Sequence, residues 1–155
     1  MIITDEVVQR VRECIDLAPL HNPANLAGMT VCTALAPQIP QVAVFDTAFH
    51  QTMSPAHYLY PIPYEYYEKY RVRRYGFHGT SHVYVYKRRE ETWKRGNEER
   101  KVITCHIGNG ASLAAIQDGK VMETSMGMTP LGGLMMGTRS GDIDPGVITL
   151  LMKKE

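Results

Sequence analysis

Apolar positions recur along the chain at two different periods, and the change of period divides it. Thr4 followed by Asp5 and Glu6, then Val7, Val8, Val11, Cys14 and Ile15 at helical spacing, predicts a capped helix running to about Leu17. Asn22-Pro23 sets a capping residue before a first-turn proline and predicts a small-residue helix over Ala24 to Leu35, closed by Pro37. Between Pro40 and Asp46 the run Gln-Val-Ala-Val-Phe lacks polar alternation, the pattern of a strand buried on both faces. A short helix is expected over Tyr64 to Tyr70. Thr80 or Ser81 is expected to cap a longer helix through Val83, Tyr84 and Trp93, ended by Gly96-Asn97. Lys101 to Ile107, Ala111 to Gln117 and Lys120 to Thr124 read as strands, the last two joined by the two-residue turn Asp118-Gly119, so an antiparallel meander is predicted. From Ser125 onward glycine is dense, as in loops. The last residues, Leu150 to Glu155, read as an amphipathic helix without cap or tail, which is how a fragment would end.

Composition narrows the classes of function. The 155 residues carry 17 Lys+Arg against 16 Asp+Glu, so any electrostatic specialisation is local rather than global. No apolar run approaches the roughly 20 residues of a membrane span, and a soluble cytoplasmic chain is expected. Cys14, Cys32 and Cys105 lie far apart with no CxxC, which fits thiols in a reducing compartment and small buried apolar residues. The segment from Met53 to Pro63 is rich in proline and tyrosine, and all nine tyrosines lie between Tyr58 and Tyr86; this shift of composition marks a candidate boundary, with 1–50 ending one unit and 51–155 beginning another.

Four stretches carry candidate chemistry. His106-Ile107-Gly108-Asn109-Gly110 joins two strands; its glycines admit an anion close to backbone amides, or simply make a hairpin turn, and no Lys-Ser/Thr follows as in a Walker loop. His78 and His82, four apart, would share a helix face. A zinc pair, phosphoryl donors at a helix start and two satisfied structural histidines all remain open, although Gly79 stands where a metalloprotease needs glutamate. Arg139, among glycines and hydroxyls, is placed like an anion clamp or pairs with Asp142 or Asp144, which are read mainly as turn and capping residues before Pro145. From Lys69 to Lys101 eleven basic residues stand against four glutamates, with aromatics interspersed, the composition of a nucleic-acid surface or of a solvated helix face.

Taken together, Val44-Phe-Asp-Thr-Ala-Phe-His50, Tyr64-Glu-Tyr-Tyr-Glu-Lys-Tyr70, Arg74-Tyr-Gly-Phe-His-Gly-Thr-Ser-His82, Thr104-Cys-His-Ile-Gly-Asn-Gly-Ala-Ser112 and Leu134-Met-Met-Gly-Thr-Arg-Ser-Gly-Asp-Ile-Asp-Pro145 resemble the acetate kinase family in order and spacing. The resemblance covers nearly the whole chain and implies an α/β, ribonuclease-H-like (actin-like ATPase) fold, here incomplete: the end of one domain, the hinge and the start of the next. It implies reversible phosphoryl transfer between ATP and acetate with Mg2+, and a homodimeric parent that acts on small molecules rather than nucleic acid or membrane. By resemblance Asp46 is the catalytic carboxylate, His78 and Arg139 the transition-state donors, and His106, Ile107, Gly108, Asn109 and Gly110 a nucleotide-phosphate segment. Leu20, Phe77 and Pro130 would wall the acetate methyl pocket, with His21 and His82 in support.

Departures from the family text are equally specific. Arg71 stands where glycine is usual, a costly choice if that backbone needs positive φ. Gly132 stands where glutamate is usual, and Glu90 to Arg100 is atypical. The family's amino-terminal phosphate and magnesium segment, the arginine that clamps acetate, the adenosine site and a magnesium-holding glutamate are not found in the chain, so the magnesium ligands are expected elsewhere and the chain alone is expected to be inactive. A non-catalytic remnant or interaction module on the same sheet is the alternative expectation, with a basic nucleic-acid-binding domain behind it.

Overall fold

The structure, a computed structural model, describes residues 1–92 and 101–155, which divide into a unit Met1–Phe45 and a unit Asp46–Glu155. In the first, helix α1 spans Asp5–Glu13, with the Thr4 hydroxyl accepting from the Val7 amide at 3.3 Å. It stops before the expected Leu17. Ala18 precedes Pro19, which disfavours helical backbone, and the Asn22 side chain closes the helix by donating to the carbonyls of Cys14 (2.9 Å) and Val11 (3.4 Å). Helix α2 therefore begins at Asn22 and runs to Leu35, with His21 at the capping position and no side-chain cap.

The strand expected over Gln41 to Phe45 is not formed. The segment makes a single antiparallel bridge between Ile2 and Val42; Ala43 is buried, but Val42 and Val44 are 62% and 74% exposed. A central strand needs a hydrogen-bonded neighbour along each edge and a packed layer over each face; among the described residues the one strand partner is the Met1–Ile3 stretch, through Ile3 N to Gln41 O at 2.8 Å and Ala43 N to Met1 O at 2.9 Å.

The second unit opens with a 3-10 helix, Ala48–Thr52, and helix α3, Pro55–Tyr58, neither of them marked by apolar periodicity. Helix α4, Glu65–Tyr70, lies where the tyrosine-rich text predicts it and ends on Arg71, whose φ of 57° is left-handed. A Cβ is strained there, and glycine is the usual solution. Arg71→Gly keeps every backbone contact, including the Arg71 carbonyl that accepts from the Tyr75 hydroxyl at 2.8 Å. It is expected to stabilise the unit by about 1 kcal/mol, a rise of roughly 2–4 °C in Tm. Thermal unfolding of the two proteins side by side tests this; an unchanged or lower Tm means the arginine repays its strain elsewhere.

Helix α5, Gly79–Thr92, starts ahead of Thr80 and Ser81, so neither caps it; its expected continuation through Trp93 to Gly96-Asn97 lies outside the described residues. Strands β1 (Lys101–Ile107), β2 (Ala111–Gln117) and β3 (Lys120–Thr124) form the predicted meander in the order β1-β2-β3. Asp118 and Gly119 both have positive φ, 51° and 78°, as a type I′ turn requires, and a register shift falls between Ala115 and Ile116. Met53, Ala114, Ile116 and Val121 make the core, with Phe49, Tyr58 and Tyr86 packed against it. The pairs Thr104↔Ala114 and His106↔Ser112 project to one face of the sheet, toward α5, while Ile103 and Ile107 on the other face stay about 70% exposed. Helix α6, Pro145–Leu151, is capped by Asp144, whose carboxylate accepts from Gly146 N at 2.8 Å; it ends at Leu151 instead of running on to the last residue. Among the described residues no helix is long and apolar enough to cross a membrane.

Candidate active site

Asp46, at the start of the second unit, holds the beginning of α5. Its backbone carbonyl accepts from Gly79 N at 2.8 Å and its carboxylate from His78 N at 2.6 Å, a charge-assisted bond at a helix N-terminus. A Cβ on Gly79 would collide with that Asp46 carbonyl, so the close approach requires glycine. His78 itself has φ 58°, an unfavourable conformation for a non-glycine residue. The peptide joining Phe77 to His78 is fixed at both ends, its N–H by Asp46 and its carbonyl by the Nε2–H of His50 at 2.8 Å. These two bonds hold the strained backbone from which the His78 ring reaches the sheet.

The ring then meets the sheet. His78 Nδ1 lies 2.8 Å from the Ser112 hydroxyl, and the ring stacks on His106 with centroids 3.9 Å apart at 19°. His82, one helical turn on, shares that hydroxyl through Nε2 at 2.8 Å and spends Nδ1 on Thr104 Oγ1, also at 2.8 Å. His106 Nδ1 is tied to Ser81 Oγ at 2.9 Å. Burial pushes His82, His78 and His50 toward the neutral form. His82 is lowered to about 4, first by desolvation and then by the neighbouring imidazoles; His78 is lowered by desolvation and by His106, and His50 by desolvation.

Opposite the rings stands the Gly108–Gly110 turn, closed by Gly108 N donating to Gly110 O at 3.0 Å. A Cβ on Gly110 would fall 2.7 Å from Arg139 Nη2 and 3.3 Å from His78 Nε2, so both side chains reach the space that the missing side chain leaves. Arg139 is oriented by its other terminal nitrogen, which donates to the Pro130 carbonyl at 2.8 Å. It pairs with neither aspartate: Asp142 accepts from Gly133 N at 2.7 Å and Asp144 caps α6. The arrangement presents a guanidinium and a neutral imidazole nitrogen to one glycine turn, a pair of donors that can grip a small oxyanion, while the Asp46 carboxylate is held on the His78 amide.

The sequence-predicted residues are thus partly gathered. Asp46, His78, His82, His106, Gly108, Gly110 and Arg139 are linked by direct contacts or through Ser112, Pro130 joins them through its backbone carbonyl on Arg139 and Phe77 through its peptide bond to His78, while Asn109 turns its Oδ1 toward Gly137 and Ile107 is 70% exposed on the far face of β1. Leu20, 87% exposed, and His21 belong to the first unit, at the turn into α2. Among the open readings of the histidine pair, His82 is the satisfied structural histidine, whereas His78 keeps Nε2 for the Gly110 side. The described residues hold no group of three His, Cys, Asp or Glu side chains placed to share a metal ion. Sequence reasoning passed over His50, Ser81, Thr104 and Ser112. The period-2 register of β1 and β2, which sets Thr104, His106 and Ser112 on one face, is the signal that would have found two of them.

The family model described as "Acetokinase family" matches residues 1–155. The acetate kinase of Thermoanaerobacter pseudethanolicus is 64% identical over 155 residues, which is 100% of this chain and 39% of that protein. A crystal structure of Porphyromonas gingivalis acetate kinase superposes with a TM-score of 0.92 at 58% identity, covering 99% of this chain and 39% of that one. The structure of a propionate kinase from Francisella tularensis gives the same TM-score, 0.92, at 48% identity and the same coverage, 99% and 39%. The chain spans 39% of the length of these relatives, and its three-stranded sheet with flanking helices is part of their α/β, actin-like ATPase fold. With every one of its residues matched, the chain belongs to the acetokinase family.

Proposed function

We propose that the protein carrying this sequence transfers the γ-phosphoryl group of ATP reversibly to acetate, giving acetyl phosphate and ADP. The observation that carries the reading is the convergence of Arg139 Nη2 and His78 Nε2 on Gly110. Acetate is ionised at neutral pH, so its oxygen attacks phosphorus without a general base, and the O–P bond forms in line as the bond to the ADP oxygen breaks. What the protein supplies is position and charge compensation. Arg139 and His78 donate to equatorial oxygens of the transferring group, and the His106–Gly110 turn lies along the nucleotide phosphates. Asp46 keeps one carboxylate oxygen on His78 N and faces the acetate or metal side with the other; Phe77 and Pro130 wall the methyl pocket, and His82 supports it.

Mg2+ bound here would neutralise charge on the phosphates. Asp46 would face it, while its protein ligands are expected beyond the described residues, which hold no group of three His, Cys, Asp or Glu side chains placed to share a metal ion. On the same reading, residues 1–50 close one ribonuclease-H-like half and 51–155 open the next, and the protein works as a homodimer on small molecules, apart from nucleic acid and membrane. The three free thiols fit a reducing, cytoplasmic location, although Cys32 and Cys105 are exposed and Cys14 is half-buried where the sequence predicts small buried apolar residues. The basic stretch supports the same view: Arg88 and Arg89 pair with Glu91 and Glu90, and Arg73 stacks on Tyr58 at 3.8 Å.

The test traps acetyl phosphate as its hydroxamate from ATP, Mg2+ and acetate. The full-length protein carrying this sequence is expected to form it, and Asp46→Asn, which keeps an oxygen to accept from His78 N but removes the charge, is expected to lower turnover. The 155-residue chain alone, which spans 39% of its relatives' length, is expected to show none. A full-length protein that makes no acetyl phosphate would overturn the activity. Turnover by the short chain that is lost with Asp46→Asn would overturn the need for the rest.

A further inference from the structure

A chain of hydroxyls and imidazoles has a direction, and its buried end sets it. Thr104 is 4% exposed and its hydroxyl has one hydrogen-bond partner among the described residues, His82 Nδ1 at 2.8 Å. Were His82 Nδ1 the donor, the Thr104 proton would be buried with no acceptor, a loss that folded proteins avoid. Thr104 therefore donates to His82 Nδ1. His82, 1% exposed and held neutral by burial, then carries its single proton on Nε2 and donates it to Ser112 Oγ at 2.8 Å. Ser112, fully buried, has its own hydroxyl proton left, and its other partner is His78 Nδ1 at 2.8 Å. With Nδ1 accepting, a neutral His78 must bear its proton on Nε2, the nitrogen that faces Gly110 beside Arg139. Reversing the chain would leave His78 Nε2 bare, a lone pair turned toward any anion at the turn.

We propose that Thr104, His82 and Ser112 are positioning residues that lock His78 in the Nε2–H tautomer, so that it meets an anionic ligand as a neutral hydrogen-bond donor. The inference deepens the phosphoryl-transfer reading and rests on it for the identity of the ligand. The lock itself does not depend on catalysis. A neutral donor suits a group that must release its product, because it binds an oxyanion without the Coulombic grip of an imidazolium.

Two-bond 1H–15N correlations of the His78 ring in the full-length protein read the tautomer directly. The expected spectrum at neutral pH shows a protonated Nε2 and a bare Nδ1. Thr104→Val keeps the shape of the side chain but removes the donor, and is expected to release the direction, moving the His78 ring toward exchange between its two tautomers; Thr104→Ser restores the wild-type pattern. If the valine disturbs the fold, Ser112→Ala reads the same lock one step nearer. A wild-type His78 protonated on Nδ1, or a ring unmoved in folded Thr104→Val and Ser112→Ala, would overturn the proposal. Acetyl phosphate formation by the same wild-type sample is measured in parallel. Its absence with an Nε2–H ring removes the transfer reading and leaves the lock standing, so the two failures are told apart.

Discussion

Arg139→Ala in the full-length protein is expected to lower kcat for acetyl phosphate formation by about 10²–10³, the cost of removing one donor from an oxyanion site. The side chain is held at one end by the Pro130 carbonyl at 2.8 Å, which leaves Nη2 directed at the space over Gly110. That bond matters to the size of the effect: a guanidinium anchored through one nitrogen offers the other at a fixed place, without reorganisation as charge builds on the transferring group. Arg139→Lys is not expected to rescue, since one ammonium cannot both reach Pro130 and present a second donor in the same plane. The acetate KM should move much less than kcat, because Arg139 is read as acting on the phosphoryl oxygens and Phe77 and Pro130 as shaping the methyl pocket. His78→Ala should cost a similar factor, and the double variant less than the product of the two, as groups sharing one anion are not independent. A kcat within a few-fold of wild type in Arg139→Ala would remove it from the reacting centre.

The local grammar of the chain accounts for much of this architecture. Asp118-Gly119 can adopt two successive positive φ angles, and the meander follows with the expected strand boundaries. Thr4 and Asp144 act as the caps they resemble, because a cap is satisfied within a few residues of itself. Misreadings arise where the deciding partner is distant. The Gln41 to Phe45 run looks like a central strand only if neighbours exist on both sides, and the described residues supply one bridge. Asn22 is a good capping residue by type, yet its side chain is taken by the preceding helix.

The site shows the same division. Motif spacing marks His78, His106 and Arg139, but no rule of propensity places a histidine at φ 58°; that requires Asp46 and His50, 32 and 27 residues away in sequence from the residues they hold. Thr104 and Ser112 look like ordinary strand hydroxyls until register turns both toward α5. Arg71 is the instructive converse: its departure from glycine was visible in the text, and the positive φ of 57° now makes it a strain.

The histidine cluster that shapes the site also ties its stability to pH. The His82 pKa falls from 6.5 to about 4, chiefly through desolvation, and His78 and His50 are lowered with it for the same leading reason. A base whose folded pKa lies below its unfolded value binds more protons when unfolded, so stability is fully present above about pH 6.5 and is lost as pH falls toward 4. For His82 alone the loss between about pH 7.5 and about pH 5 is about 2 kcal/mol, approaching roughly 3 kcal/mol below the folded pKa; His78 and His50 act in the same direction. Most of this window lies above the ordinary carboxylate range, which separates the effect from acid titration of surface aspartates and glutamates. Hydrogen exchange of the Thr104 and Ala114 amides, where β1 meets β2, reads the opening free energy of this unit without requiring the whole protein to unfold in one step. The opening free energy, corrected for the intrinsic pH dependence of exchange, is expected to fall on acidification through this window. In folded His82→Asn it should start lower, because a fitted network is broken, and then change less with pH. A wild-type opening free energy that stays flat or rises from about pH 7.5 to about pH 5 would mean that these rings take up protons in the native state as readily as in the unfolded one.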